Sequence, residues 1–220
     1  MAERKPVGRA WIVAAVALAL AIGAGVGAAL ALGTSSRSHS QNPATPVSQA
    51  NITWKAGRHR APDFALRDQT GAPISLAANR GRPVILTFID PVCTSLCPLE
   101  AKVLNQVEQQ IPASERPQII SVSVNPWGNA RHYLLADYRK WRLSPNWRWA
   151  VGSHAQLARV WRAYSVAVQV RVFRAVGVTE HRIDHTEGAY LVDRNGYQRA
   201  LFLWPFAAAD VTRAVRNLGS

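Results

Sequence analysis

Residues 84–89 read Val-Ile-Leu-Thr-Phe-Ile, an apolar run bounded by Pro83 and Pro91. The run is too short for a helix and lacks the polar alternation of a strand with one wet face. A strand buried on both sides is expected, and such a strand needs helices packed above and below it. The chain supplies one at once. In residues 98–110, Leu99, Val103, Leu104 and Val107 recur at close to helical spacing, continued by Ile111, and Pro98 suits a first helical turn. Between strand and helix lies Asp90-Pro91-Val92-Cys93-Thr94-Ser95-Leu96-Cys97-Pro98. Buried strand, short loop and helix in succession are the building unit of an α/β sheet.

The rest of the chain continues the alternation. Residues 61–66 and the turn-forming 68–71 predict a short strand and turn. A second buried strand is expected at 119–124, a helix at 133–141, a short strand at 149–151 and a helix at 156–164. Residues 168–178 read as one extended segment. Residues 190–192 and 199–203 flank Arg194-Asn195-Gly196, a hairpin signal. A closing helix is expected at 210–218, with Asp210 in or just before its first turn. Strand, helix, strand, helix, antiparallel hairpin and last helix is the thioredoxin order. The predicted fold class is therefore α/β, a thioredoxin-like central mixed sheet flanked by helices, preceded by an N-terminal transmembrane helix.

That last element rests on residues 11–32, which carry no charge over 22 positions. As a helix they would span about 33 Å, enough for a hydrocarbon core of roughly 30 Å. Arg4, Lys5 and Arg9 precede them, so residues 1–10 are expected to stay in the cytoplasm and the rest to be exported. The alternative is a signal peptide with Ala29-Leu30-Ala31 near its cleavage site, but the apolar run exceeds the usual 7–15 residues. Residues 33–52, rich in Ser, Thr, Gln, Asn and Pro, read as a flexible linker. Residues 53–220 then form one extracytoplasmic domain, held by a single-pass anchor in a bacterial-type cell membrane. The formal net charge of +13 invites a nucleic-acid reading. The basic residues are scattered rather than clustered, and an exported domain meets no DNA or RNA. A solvated surface beside an anionic bilayer, or a face for an acidic protein, accounts for the charge.

There are only two cysteines, too few for a disulfide scaffold. Cys93 and Cys97 follow a buried strand and open a helix, the place where open α/β sheets hold their sites. A helix N-terminus stabilises a thiolate. Three residues separate the pair, where a thioredoxin-type redox pair has two. The wider loop allows a disulfide and also lets both sulfurs reach one ion. Soft thiolates select Cu(I), with zinc and iron–sulfur clusters as alternatives. Two sulfurs leave such a site incomplete.

The sole methionine is Met1, so a histidine is the expected third ligand. His39 lies in the linker, His59 near the domain edge, and His132 and His154 at polar helix starts. His181 and His185 lie in Glu180-His181-Arg182-Ile183-Asp184-His185-Thr186. His185 then sits on the loop entering the hairpin, which in a thioredoxin fold faces the cysteine loop. Neutral imidazole is a good copper ligand, and Asp184 is a candidate to orient it.

These residues carry a resemblance. Cys93-Thr94-Ser95-Leu96-Cys97-Pro98 after a Thr-Phe strand, with Asp184-His185-Thr186 before Tyr190-Leu191-Val192-Asp193, resembles the Sco/SenC family of copper proteins. Ala61-Pro62-Asp63-Phe64 and Ser121-Val122-Ser123-Val124-Asn125-Pro126 are similar to that family too, so the resemblance covers about residues 60–218. It implies copper, as Cu(I) or Cu(II), held by Cys93, Cys97 and His185. It also implies help in assembling the copper A centre of cytochrome c oxidase, with subunit II or a similar copper acceptor as partner. Two departures stand out. Asn125 occupies a position where the family commonly has Asp, and Trp127-Gly128-Asn129-Ala130-Arg131 lacks the usual acids.

The leading expectation is a membrane-anchored metallochaperone. The alternative is a thiol–disulfide oxidoreductase, with Cys93 and Cys97 as its redox pair, keeping an acceptor's cysteines reduced. A peroxiredoxin-like peroxidase shares the Ala61-Pro62-Asp63-Phe64 opening but leaves His185 without a role. A basic docking module would leave the thiols inert.

Overall fold

The computed structural model describes residues 50–218. The expectations for residues 1–10, the span at 11–32 and nearly all of the linker at 33–52 fall outside them. Among the described residues no helix is long and apolar enough to cross a membrane.

Ten strands and four helices are described. The strands are β1 (Ile52–Thr53), β2 (Leu66–Arg67), β3 (Pro73–Ile74), β4 (Val84–Ile89), β5 (Gln118–Ser123), β6 (Trp147–Ala150), β7 (Val168–Ala175), β8 (Val178–His185), β9 (Gly188–Val192) and β10 (Gln198–Leu203). The helices are α1 (Cys97–Gln109), α2 (Arg131–Lys140), α3 (His154–Ala163) and α4 (Ala208–Arg216). Six strands form one mixed sheet in the order β1-β10-β9-β4-β5-β6. β4, β5 and β6 run parallel, β9 is antiparallel to β4, and β10 and β1 extend that edge antiparallel. This is the predicted α/β architecture with a central mixed sheet.

β4 lies at the centre and is buried at every position. Its side chains alternate between two cores. Ile85 and Ile89 join Leu104 and Val107 of α1, Trp147 and Trp149 of β6, and Val211 of α4. Leu86 and Phe88 join Ile120 and Val122 of β5, and Leu157 and Trp161 of α3, on the other face. An apolar run with no alternation is what a strand between two helical layers requires.

Most element boundaries differ from expectation by one to three residues, and two of the differences have clear local causes. Helix α3 begins at His154 because Ser153 caps it: Ser153 Oγ accepts from Gln156 N at 3.3 Å, while Gln156 Oε1 accepts from Ser153 N at 2.9 Å. The segment at 61–66 is strand only at Leu66–Arg67, which pairs with Pro73–Ile74 around the Asp68–Thr70 turn.

One element exceeds its expectation. The extended segment at 168–178 is the first half of a long hairpin, in which β7 pairs with β8 from Val168↔His185 to Ala175↔Val178. Gly177, at φ 73°, supplies the left-handed residue of the turn. His185 is therefore the last residue of a strand, not part of a loop. Gly188 starts β9 where no side chain fits, since a Cβ there would lie 2.6 Å from the Phe202 carbonyl.

Candidate metal centre

The cysteine loop is folded by one carboxylate. Asp90 follows β4, and its Oδ1 accepts from Val92 N at 3.0 Å and from Asn125 Nδ2 at 2.9 Å. The Asp90 carbonyl accepts from Cys93 N at 3.1 Å. Burial pushes the Asp90 carboxyl up, against the lowering effect of these two donors. Asn125 is doubly engaged, because its Oδ1 also accepts from Trp127 N at 3.1 Å and Gly128 N at 3.2 Å. The neutral residue at 125 thus caps a turn and donates to the acid that shapes the loop.

The two thiols differ. Cys97 is the first residue of α1 and is 1% exposed, whereas Cys93 is half-buried on the loop with Ser95 Oγ at 3.6 Å. A hydrogen bond from Cys97 lowers the Cys93 thiol well below its ordinary value, helped by Ser95. That same bond, together with burial, pushes Cys97 up. Cys93 is thus the thiolate of the pair and Cys97 the proton-bearing partner at neutral pH.

His185 completes the approach. Its Nε2 lies 3.8 Å from Cys97 Sγ, and its side chain is 5% exposed. Burial lowers the imidazole's pKa, so the ring is neutral at pH 7. Its Nδ1 sits 3.1 Å from the Thr186 carbonyl, an acceptor that fixes the proton on Nδ1 and leaves the Nε2 lone pair toward the sulfur. Asp184 does not orient the ring, because it turns outward to pair with Arg171.

A further acid joins the group. Glu187 Oε1 lies 3.8 Å from His185 Nε2 and 4.0 Å from Cys97 Sγ, and the three ligand atoms fall within 4.8 Å of one another. Burial and the charge on Cys93 raise the Glu187 carboxyl to about 7. Cys93 is not one of this trio but lines, with His185 and Glu187, a cleft of ≈ 330 Å³ that Asp90, Leu96 and Trp204 also border. A soft sulfur pair, a neutral imidazole and one adjacent carboxylate form a donor set suited to a thiophilic ion.

Beneath the trio lies Glu100, fully buried and raised to about 8 by that burial. The Thr87 hydroxyl contacts both Glu100 Oε1 and, at 3.2 Å, the Gly188 carbonyl. One hydroxyl proton cannot serve two acceptors, and a protonated Glu100 resolves this by donating to Thr87.

The sequence reading missed Glu187 and Glu100, although both carried a signal. Glu187 is two residues from His185 in extended chain, and Glu100 three from Cys97 in a helix, so each shares a face with a candidate ligand. Of the remaining described histidines, His59, His132 and His154 are exposed. His181 stacks on Trp127 at 3.8 Å with an interplanar angle of 8°.

The family described as SCO1/SenC matches residues 54–219. The mitochondrial SCO2 homolog of Bos taurus is 28% identical over 165 residues, covering 70% of this chain and 58% of that protein. The chain therefore spans less than two thirds of that relative's length. Copper-bound ScoI of Arabidopsis thaliana superimposes with a TM-score of 0.62 at 19% identity, covering 72% of this chain and 96% of that one. Yeast Sco1 gives 0.64 at 16%, with 72% and 96% covered. BsSco, described as a Sco-family cytochrome c oxidase assembly protein with a disulfide switch, gives 0.62 at 20%, with 78% and 98% covered. At these identities the structures establish a shared fold.

Proposed function

From the chain's membership of the SCO1/SenC family, we propose that it is a membrane-anchored extracytoplasmic copper metallochaperone whose cargo is held by Cys93, Cys97 and His185. The observation that carries the reading is the approach of His185 Nε2 to within 3.8 Å of Cys97 Sγ, beside a cleft lined by both His185 and Cys93. Cu(I) entry requires both thiols to be deprotonated. Cys93 already is, and the buried Cys97 loses its proton as the metal binds. Two thiolates and a neutral imidazole then give an S₂N set, with Glu187 beside it. Cys93 is the half-exposed member, so it is the ligand an acceptor's own thiol displaces first. A copper A site, as in cytochrome c oxidase subunit II, is the acceptor class that this reading implies.

Transfer is the test. Copper-loaded full chain, mixed anaerobically with the apo copper domain of such an acceptor, is expected to give up its metal to that domain. Copper that stays on the chain while a small chelator can still remove it contradicts delivery.

A second reading is favoured by the asymmetry of the thiols. A low-pKa, accessible Cys93 beside a buried Cys97 also suits disulfide reduction. The Cys93 thiolate would attack one sulfur of the acceptor's disulfide, releasing the other as a thiolate. Cys97, losing its proton, would then attack Cys93 in the mixed disulfide. The acceptor gains two electrons and two thiols, and Cys93–Cys97 becomes a disulfide that an external dithiol must reduce. Stoichiometric reduction of an acceptor disulfide by metal-free chain would establish this activity.

A further inference from the structure

The β7–β8 hairpin carries His185 at its base and ends in residues that the copper site does not use. From Arg171 to Thr179 the sequence is Arg-Val-Phe-Arg-Ala-Val-Gly-Val-Thr, with no acid. Val172, Phe173 and Val178 are exposed, and Val176 at the turn is fully exposed. Arg174 is exposed beside them, and the Arg182 guanidinium lies over the Phe173 ring, 4.8 Å from its centroid. The acids begin with Glu180, which pairs with Arg182, and continue at Asp184, which pairs with Arg171.

We infer that this hairpin tip docks into an anionic lipid bilayer. Apolar side chains at the extreme end, arginines just behind them and an aromatic–cation pair at the same level are the ordering a membrane interface selects. Charge complementarity points to anionic headgroups, because Arg171 and Arg182 are paired with Asp184 and Glu180 while Arg174, nearest the turn, has no ion pair among the described residues. A two-stranded ribbon ending in Val176-Gly177 is also too narrow for the roughly 800 Å² per partner of a standard protein interface. The inference shares with the proposed function only the membrane location.

Docking would set the height of the site. Seven residue steps separate the Ala175↔Val178 pair from Val168↔His185, or about 24 Å of strand. With the tip at the headgroups, the cleft stands about that far above the bilayer, within reach of the exported domain of a membrane-bound acceptor.

Full chain in vesicles of equimolar phosphatidylglycerol and phosphatidylcholine provides the test, read by amide hydrogen exchange over residues 172–179. Exchange is expected to slow relative to the same chain in zwitterionic detergent. Val176→Asp is expected to abolish the slowing with an unchanged far-ultraviolet circular dichroism spectrum, and Arg174→Gln to weaken tip association about fivefold. Equal exchange in vesicles and detergent overturns the inference. So does slowing that appears only when an acceptor domain is added, which makes the tip a protein contact. Flotation is scored separately: chain that floats with a freely exchanging tip contradicts the tip alone. Chain that does not float contradicts the anchored reading as well.

Discussion

Asn125 donates from its side-chain amide to the buried carboxylate of Asp90 across 2.9 Å, joining the loop after β5 to the loop that carries both cysteines. This chain thus keeps one acid and one amide where an acid at both positions would place two carboxyl groups in contact. The carboxylate sits at the foot of the cysteine loop, and Asn125 is its donor.

Asn125→Asp tests that pairing. Replacing the amide removes a donor and sets two acids side by side, which is expected to cost about 1–3 kcal/mol at pH 8. Like-charge contact raises the carboxyl pKa in the folded state, so the native protein binds more protons than the unfolded chain above about pH 4. The penalty therefore shrinks as the pH falls. Urea unfolding at pH 5 and pH 8 measures it, and an equal penalty at both contradicts the contact.

Thiol reactivity tests the asymmetry of the pair. In reduced, metal-free protein, iodoacetamide is expected to modify Cys93 with a midpoint well below the ordinary thiol value of about 8.5, and to leave Cys97 unmodified. In Cys97→Ser the Cys93 midpoint moves upward if the Cys97 thiol is the stronger donor to Cys93, which is its largest stabilising contact. Peptide mapping that finds both cysteines modified alike at neutral pH contradicts the assignment.

Glu100 contributes a pH dependence of stability. Its folded pKa, about 8, lies above the ordinary carboxyl value, so between about pH 4.5 and 8 the native state holds a proton the unfolded state has lost. Unfolding free energy of the apo protein therefore falls as the pH rises through that window, by at most about 1.4 kcal/mol per pH unit for this group. Glu187 and Asp137, each raised to about 7, add to the slope. Glu100→Gln is expected to flatten the dependence without abolishing it. An unchanged slope would mean that Glu100 is ionised in the native protein.

Much of this arrangement was readable from the chain alone, for physical reasons. The β4 run has no polar alternation because helices cover both its faces, and that locates the cysteine loop at the sheet edge. The place of the cysteines after β4 and of His185 just before the β9–β10 hairpin led to the expectation that they meet, and the structure brings Cys97 and His185 together. What was illegible depends on contacts distant in sequence. The second strand of the β7–β8 hairpin is exposed over most of its length and has no buried face to mark it. The stack of Trp127 on His181, which ties that hairpin to the Asn125 loop, joins residues that neither charge nor periodicity links. Asp184 stood next to His185 in sequence, but successive residues of a strand point to opposite faces, so the outward partner was Arg171.

The central claim is the shared S₂N site, and anaerobic Cu(I) titration against a competing chelator tests it most directly. Reduced full chain is to be compared with Cys93→Ser, Cys97→Ser and His185→Ala. One copper per chain is expected, with each substitution weakening it beyond the roughly 10–100-fold that loss of an outer hydrogen-bonding partner produces. Wild-type affinity in His185→Ala would remove the imidazole from the site and leave the thiols to redox chemistry.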